Sequence, residues 1–260
     1  MNLRETTKQF IALLEKKSGL PVHVREVPDL PTIATVLIAR GNLPAHIISF
    51  KPGMKNETPD YAIIFQCAMA IRTFDCPPDD RKLIAASADG EGIVRGLLTT
   101  PNGIAEKLSL SSAQVAEYGE RLLMGLITHL RSVPISLRVS ETLTLEHPEL
   151  LEHEVTQAER ELRLNRESLA EPIREVTPGR IFAPTQAINT AFALFWAERL
   201  ERTEIANPYL LAGFEAQGQA LLNILAEVPT HPAHDCELID RWANQLGIQD
   251  LYQWLAYRTP

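Results

Sequence analysis

The chain is poor in the residues that make covalent staples and phosphate cradles. Its three cysteines, Cys67, Cys76 and Cys236, are scattered through 260 residues. Odd in number and far apart, they exclude a disulfide framework of the kind that holds small secreted domains together. No G-x-x-x-x-G-K-[ST], G-x-G-x-x-G or G-x-S-x-G pattern occurs, which removes the commonest nucleotide and serine-hydrolase signatures. Nothing approaches the ~18 consecutive apolar residues that a membrane helix needs, so no membrane segment is expected. The opening stretch MNLRETTKQFIALLEKKSG alternates charge with apolar residues and lacks the unbroken apolar core and cleavage site of a signal peptide. Free thiols without a leader point to a reducing cytoplasm. There is no internal repeat and no low-complexity segment.

Positive charge runs out early: no lysine follows Lys107. Residues 1–100 hold 12 Lys+Arg against 11 Asp+Glu, residues 101–138 hold 4 against 3, and residues 139–260 hold 9 against 19. Most of the net charge of -8 therefore sits in the last segment. That segment would repel phosphate, so any nucleic-acid surface belongs to the near-neutral first half. With 45% hydrophobic content the chain is long enough to bury a substantial core.

Hydrophobic periodicity predicts a helix over residues 4–17 stopped by Gly19. Extended segments are expected over 22–27, 32–39 and 45–50, turning at Gly41-Asn42 and ending at Lys51-Pro52-Gly53. The near-continuous apolar stretch from Pro59 to Phe74 reads as a helix buried on most sides, closed by Pro77-Pro78. Beyond Asp79 only helices are expected: a charged one over 150–169 with a narrow apolar stripe, then, after a linker at Pro178-Gly179, helices over 185–200, 209–228 and 236–246. The expected fold class is α+β, a small N-terminal antiparallel sheet packed on helices and followed by a predominantly helical C-terminal region. Three regions are expected: 1–100, an α+β unit; 101–138, a helix-turn-helix-like segment; and 139–260, acidic and all helical.

The stretch from Asn102 to Leu126 has the spacing of a helix-turn-helix. Ala105, Ser109 and Val115 stand where such a motif places its small contact residue, its turn and its branched packing residue. Ile104, Leu108, Leu110 and Leu122 supply a small core, and Ser111 with Gln114 forms a capping box. As a DNA reader it would offer Ser112 and Gln114 to bases and Lys107 and Arg121 to phosphates. Glu117 and Glu120 on the reading helix oppose that use, and a structural helical pair is the competing interpretation.

The order of helix, small sheet, buried helix and the AEKLSLSSAQVAEYGERL segment, over roughly residues 20–130, resembles the ImmA/IrrE family of zinc metallopeptidase-like regulators. The resemblance implies a buried helix carrying H-E-x-x-H, two histidines for zinc and a glutamate to activate water. This chain reads Phe65, Gln66, Cys67, Ala68 and Met69 there, and the family's acidic ligand falls near Asp89. Phenylalanine cannot ligate a metal, a thioether is a poor zinc ligand, and neutral Gln66 cannot act as general base. The implication is a bacterial, cytoplasmic pseudoenzyme whose fold is kept for binding, with no cofactor.

Other chemistry-bearing residues are weaker. His231, His234 and Cys236 crowd into six residues and form a candidate metal cluster, although the loop there and Asp235 as helix N-cap account for them without a metal. Cys67 with His46 offers a thiol and a base, but Cys67 lies in the most apolar helix of the chain. Phe192, Phe195, Trp196, Tyr209 and Phe214 read as core. Tyr252 and Trp254 cannot share one helical face, so part of the C-terminus is expected to meet a neighbour. The favoured function is non-catalytic regulation or protein interaction, with an unidentified protein partner and with a second copy of the chain as a further candidate. The alternatives are a regulator that binds duplex DNA and a metal-dependent hydrolase with an unrecognised site.

Overall fold

The computed structural model describes residues 3–30, 32–52 and 59–260; Gly53 of the expected strand stop lies outside them. In chain order the elements are α1 (Glu5–Ser18), β1 (Val22–Glu26), β2 (Ala34–Leu37), β3 (His46–Phe50), α2 (Pro59–Asp75), β4 (Lys82–Ala86), α3 (Ala88–Leu98), α4 (Ile104–Lys107), α5 (Ser112–Glu146), α6 (Leu151–Glu167), α7 (Glu171–Val176), α8 (Gly179–Arg199), α9 (Asn207–Leu211), α10 (Glu215–Glu227), α11 (Asp235–Leu246) and β5 (Tyr252–Ala256). The class is α+β, with a sheet near the N-terminus and a helical C-terminal region.

Gly19 ends α1 in the left-handed conformation, its N–H returning to the Glu15 carbonyl, a stop that glycine adopts without steric cost. The first sheet has the order β1-β3-β2. It is mixed rather than purely antiparallel: β3 runs antiparallel to β2 and parallel to β1. A parallel neighbour needs a crossover, and β2 lies within the connection from β1 to β3.

Helix α2 separates two cores. Ile63, Cys67, Ala70, Ile71 and Phe74 join Leu14, Ile48 and Phe50 in the smaller core beneath the sheet. Tyr61 and Ile64 belong to the larger core, which also takes residues from α3, α5, α6, α8, α10, α11 and β5. Side chains from all three expected regions thus meet in one apolar interior.

The chain does not stay helical after Asp79. Lys82–Ala86 pairs antiparallel with Tyr252–Ala256, so the C-terminus returns to the first third of the chain. Each five-residue run is half of a sheet, and its partner lies too far along the chain to be read locally. A strand also resolves the placement of Tyr252 and Trp254, since residues two apart share a strand face. Their rings meet edge to face at 6.0 Å, and both donate to Asp240, Trp254 Nε1 at 2.7 Å. Pro178 is likewise no linker: it is buried as the residue before α8, which starts six residues earlier than expected. The expected helix over 209–228 breaks at Gly213, whose φ is +86°. Beyond that break Gly218 lies so close to α8 that an added Cβ would meet Thr190 Cγ2 at 2.5 Å. Helix α5 is long and apolar enough by composition to cross a membrane, and 56% of its most apolar window is buried inside the protein.

Candidate functional site

Two sides of α2 divide Phe65, Gln66 and Met69. Phe65 and Met69, one turn apart, turn toward the larger core and pack against it, Phe65 tilted on Tyr61 with ring centroids 6.0 Å apart. Gln66 turns toward the sheet and donates its side-chain amide to the Ala34 carbonyl at 3.4 Å. Cys67, fully buried, is pushed up to about 12 by burial and then by Glu15, so it stays a neutral packing thiol. His46 is also fully buried; its Nδ1 accepts from the Ala39 amide, and burial holds its pKa below the ordinary histidine value. Asp89 is exposed in the first turn of α3, where a carboxylate suits the helix dipole.

The sheet beside α2 has two unlike edges. Val22 on the β1 side gives its N–H to the Glu15 carboxylate of α1 at 2.9 Å. On the β2 side, Lys51 N–H bonds the Ile33 carbonyl and the register sets Thr35 opposite Ser49. In an antiparallel ladder alternate residues face the partner, so Ile33, Thr35 and Leu37 bond to β3 while Ala34 and Val36 direct their backbone groups outward. The Ala34 carbonyl has the Gln66 amide and the Thr32 hydroxyl. Among the described residues no strand pairs with Val36 on that side.

In the 102–126 segment, Ser109 takes a left-handed turn and the Ser111–Gln114 capping box is complete. The first helix, α4, is only four residues long, and the second continues for 35. Val115 and Gly119 pack inward, Gly119 close to Leu98 and Val94. Lys107, Ser112, Gln114 and Arg121 are exposed. The Gln114 side-chain oxygen accepts from Ser111, and Arg121 lies over the Tyr118 ring at 5.7 Å.

Asp235, which local reading assigns to a helix cap, receives two arginines. It is the first residue of α11. Arg72 of α2 binds it in a fork, Nε to Oδ2 at 2.7 Å and Nη2 to Oδ1 at 2.6 Å, while Arg138 of α5 adds Nη1 to Oδ1 at 2.9 Å. The guanidinium groups also hold the Thr230 and Val228 carbonyls. Arg138, set between the apolar residues Leu137 and Val139 of a long helix, is the one sequence signal that could have announced this knot.

The six-residue His/Cys cluster is occupied with local structure. His231 Nδ1 accepts from Ala233 N–H, His234 pairs with Glu237 at 2.9 Å, and half-buried Cys236 is pushed up to about 11, chiefly by burial. Among the described residues no group of three or more His, Cys, Asp or Glu side chains is placed to hold a metal ion.

A second buried polar region went unforeseen. Glu154 of α6 is 2% exposed; its Oε2 accepts from the Thr144 hydroxyl at 2.8 Å and its Oε1 has no partner. Two turns on, burial pushes Glu161 up to about 7. Both charges, after burial itself, raise the hydroxyl pKa of Tyr61. Elsewhere between these helices, His129 Nε2 meets Asn189 Oδ1 at 2.6 Å, and Asn189 donates to Ser168, which also bonds Gln186. This chain ties α5 and α8 to the end of α6, and burial keeps His129 below its ordinary pKa. No family model, curated protein or solved structure matches this chain.

Proposed function

We propose that this is a non-catalytic interaction protein of the cytoplasm, a regulatory pseudoenzyme on a peptidase-like core, that takes an extended segment of a protein partner along the outer edge of β2. The outward backbone groups of Val36 carry the reading. An unpaired edge strand is a template for an added strand, and main-chain hydrogen bonds supply affinity there. The use of Phe65, Gln66 and Met69 for packing and for holding the edge supports a binding role over peptidase chemistry.

Val36→Pro tests this with little cost to the fold, because the N–H it removes points away from β3. Quantitative co-purification with wild-type and V36P protein should show a partner that the variant loses, and crosslinks from Leu37 to that partner should vanish with it. Equal capture by both proteins overturns the proposal.

Duplex DNA is the second reading, favoured by the exposure of Lys107, Ser112, Gln114 and Arg121. Against it, a single turn of α4 leaves no first helix to lie across the backbone. Anisotropy of labelled duplex over a salt series decides: steeply salt-dependent binding, lost in K107E and R121E, supports DNA contact. No binding at low salt rejects it.

A further inference from the structure

A small cavity of about 50 Å³ lies where α2, β4, α5, α11 and β5 converge, beside the Asp235 knot. Its lining includes four cations, Arg72, Arg81, Lys82 and Arg131, and two carboxylates, Asp80 and Asp235. This is a positive pocket in a chain of net charge -8.

The four cations are not equally engaged. Arg72 is committed to Asp235, which Arg138 neutralises a second time. Arg81 donates to the carbonyls of Cys76 and Phe74 and lies over the Phe74 ring at 5.2 Å. Arg131 is different: it is only partly exposed and makes no hydrogen bond or ion pair among the described residues. Burial and the neighbouring charge of Arg40 both pull its pKa below the usual guanidinium value. Exposed Lys82 at the rim has no carboxylate partner among the described residues either. The thiols of Cys76 and Cys236 in the lining are raised, first by burial, and bring no negative charge.

A guanidinium carries five donors in a fixed fork. Those of Arg131 are unused among the described residues and remain open to the cavity and solvent, where a bound anion would pair them. We propose that this cavity is an oxyanion site, holding a tetrahedral phosphoryl or sulfuryl group against Arg131 with Lys82 at its mouth. A volume of about 50 Å³ has room for the group or a few waters, and none for a nucleoside. The ligand is therefore free phosphate or sulfate, or the charged end of a larger molecule whose body stays outside.

The test is isothermal titration of the full-length protein with sodium phosphate, with sodium sulfate and with phenyl phosphate, at ionic strength held constant by sodium chloride so that general screening is matched. Saturable binding is expected, with a melting temperature raised by about 5–10 °C at a hundredfold excess over Kd. R131Q should weaken binding at least tenfold, R131K less because charge is kept without the fork, and K82Q, a rim change that leaves the fold intact, about threefold. Binding of phosphate or sulfate without phenyl phosphate identifies an enclosed free-anion site; binding of phenyl phosphate as well identifies an end-group site. No saturable binding to the folded wild type overturns the proposal. So does equal binding by wild type, R131K and K82Q, a result that does not require R131Q to fold.

Discussion

Two buried carboxylate regions of this protein follow opposite rules. At the α2–α5–α11 junction one aspartate, Asp235, receives two arginines and every contact is short and directed. Along α6, Glu154 is buried with hydroxyls as neighbours and Glu161 is part-buried with no cation acting on it, while the charge of Arg199 acts on Glu154 only as its smallest influence. In the first region the carboxylate is met by two guanidinium groups; in the second, burial is the largest influence and raises the carboxyl pKa. Burial alone thus says little about a carboxylate; what matters as well is whether a cation is placed to bond it.

The sharpest way to break this contrast is Asp235→Ala. It strands Arg138, which is 2% exposed, and leaves Arg72 beside it without a counter-charge. Removing one partner from a buried ion cluster costs about 3–5 kcal/mol, and chemical denaturation should show that loss at pH 7. Exchanging all three residues in R72M/D235L/R138M removes the stranded charges and should recover most of it. If D235A alone stays within about 1 kcal/mol of wild type, the knot is ornamental and the two regions do not differ as argued.

Much of this contrast is hidden from local reading. Apolar periodicity announces α1, α2 and α11, glycine in the left-handed region announces the end of α1, and Ser111 with Gln114 announces the start of α5. These signals lie within one or two turns of chain. Asp235 sits 163 residues from Arg72 and 97 from Arg138, and at its own position it looks like a helix cap. β4 and β5 fail to show for the same reason: each is stabilised by a partner 170 residues away in register. Phe65 and Met69 are legible as non-ligands from their chemistry, but only the packing of α2 between two cores shows that they fill the larger one.

Glu161 gives a pH experiment with a definite sign. Its folded pKa of about 7 lies above the ordinary glutamate value of 4.5. The folded state therefore binds a proton more tightly than the unfolded state, and stability is fully present below about pH 4.5 and lost as pH rises through 7. In E161Q that loss disappears. The variant should match wild type near pH 4.5 and exceed it by about 2–3 kcal/mol at pH 8. Thermal melts of both proteins across that range read the difference directly. A constant gap at all pH values would assign the effect to packing instead of charge.

Glu154→Gln probes the same rule where it is most finely balanced. Burial raises the carboxyl pKa, while the Thr144 and Ser140 hydroxyls and then the charge of Arg199 lower it. The raised folded pKa again means that stability falls as pH climbs from the glutamate range toward neutrality. An amide keeps an oxygen for the Thr144 hydroxyl and drops the charge, but it turns the partnerless Oε1 into a partnerless N–H donor, and the two changes oppose one another. The expected gain at pH 8 is therefore only about 1 kcal/mol, or 2–4 °C in melting temperature, and it should vanish near pH 4.5. A loss at pH 8 would show that Arg199 holds Glu154 in its charged form. The α6 region would then be a looser version of the Asp235 knot, with a cation acting through space where the knot uses a guanidinium fork.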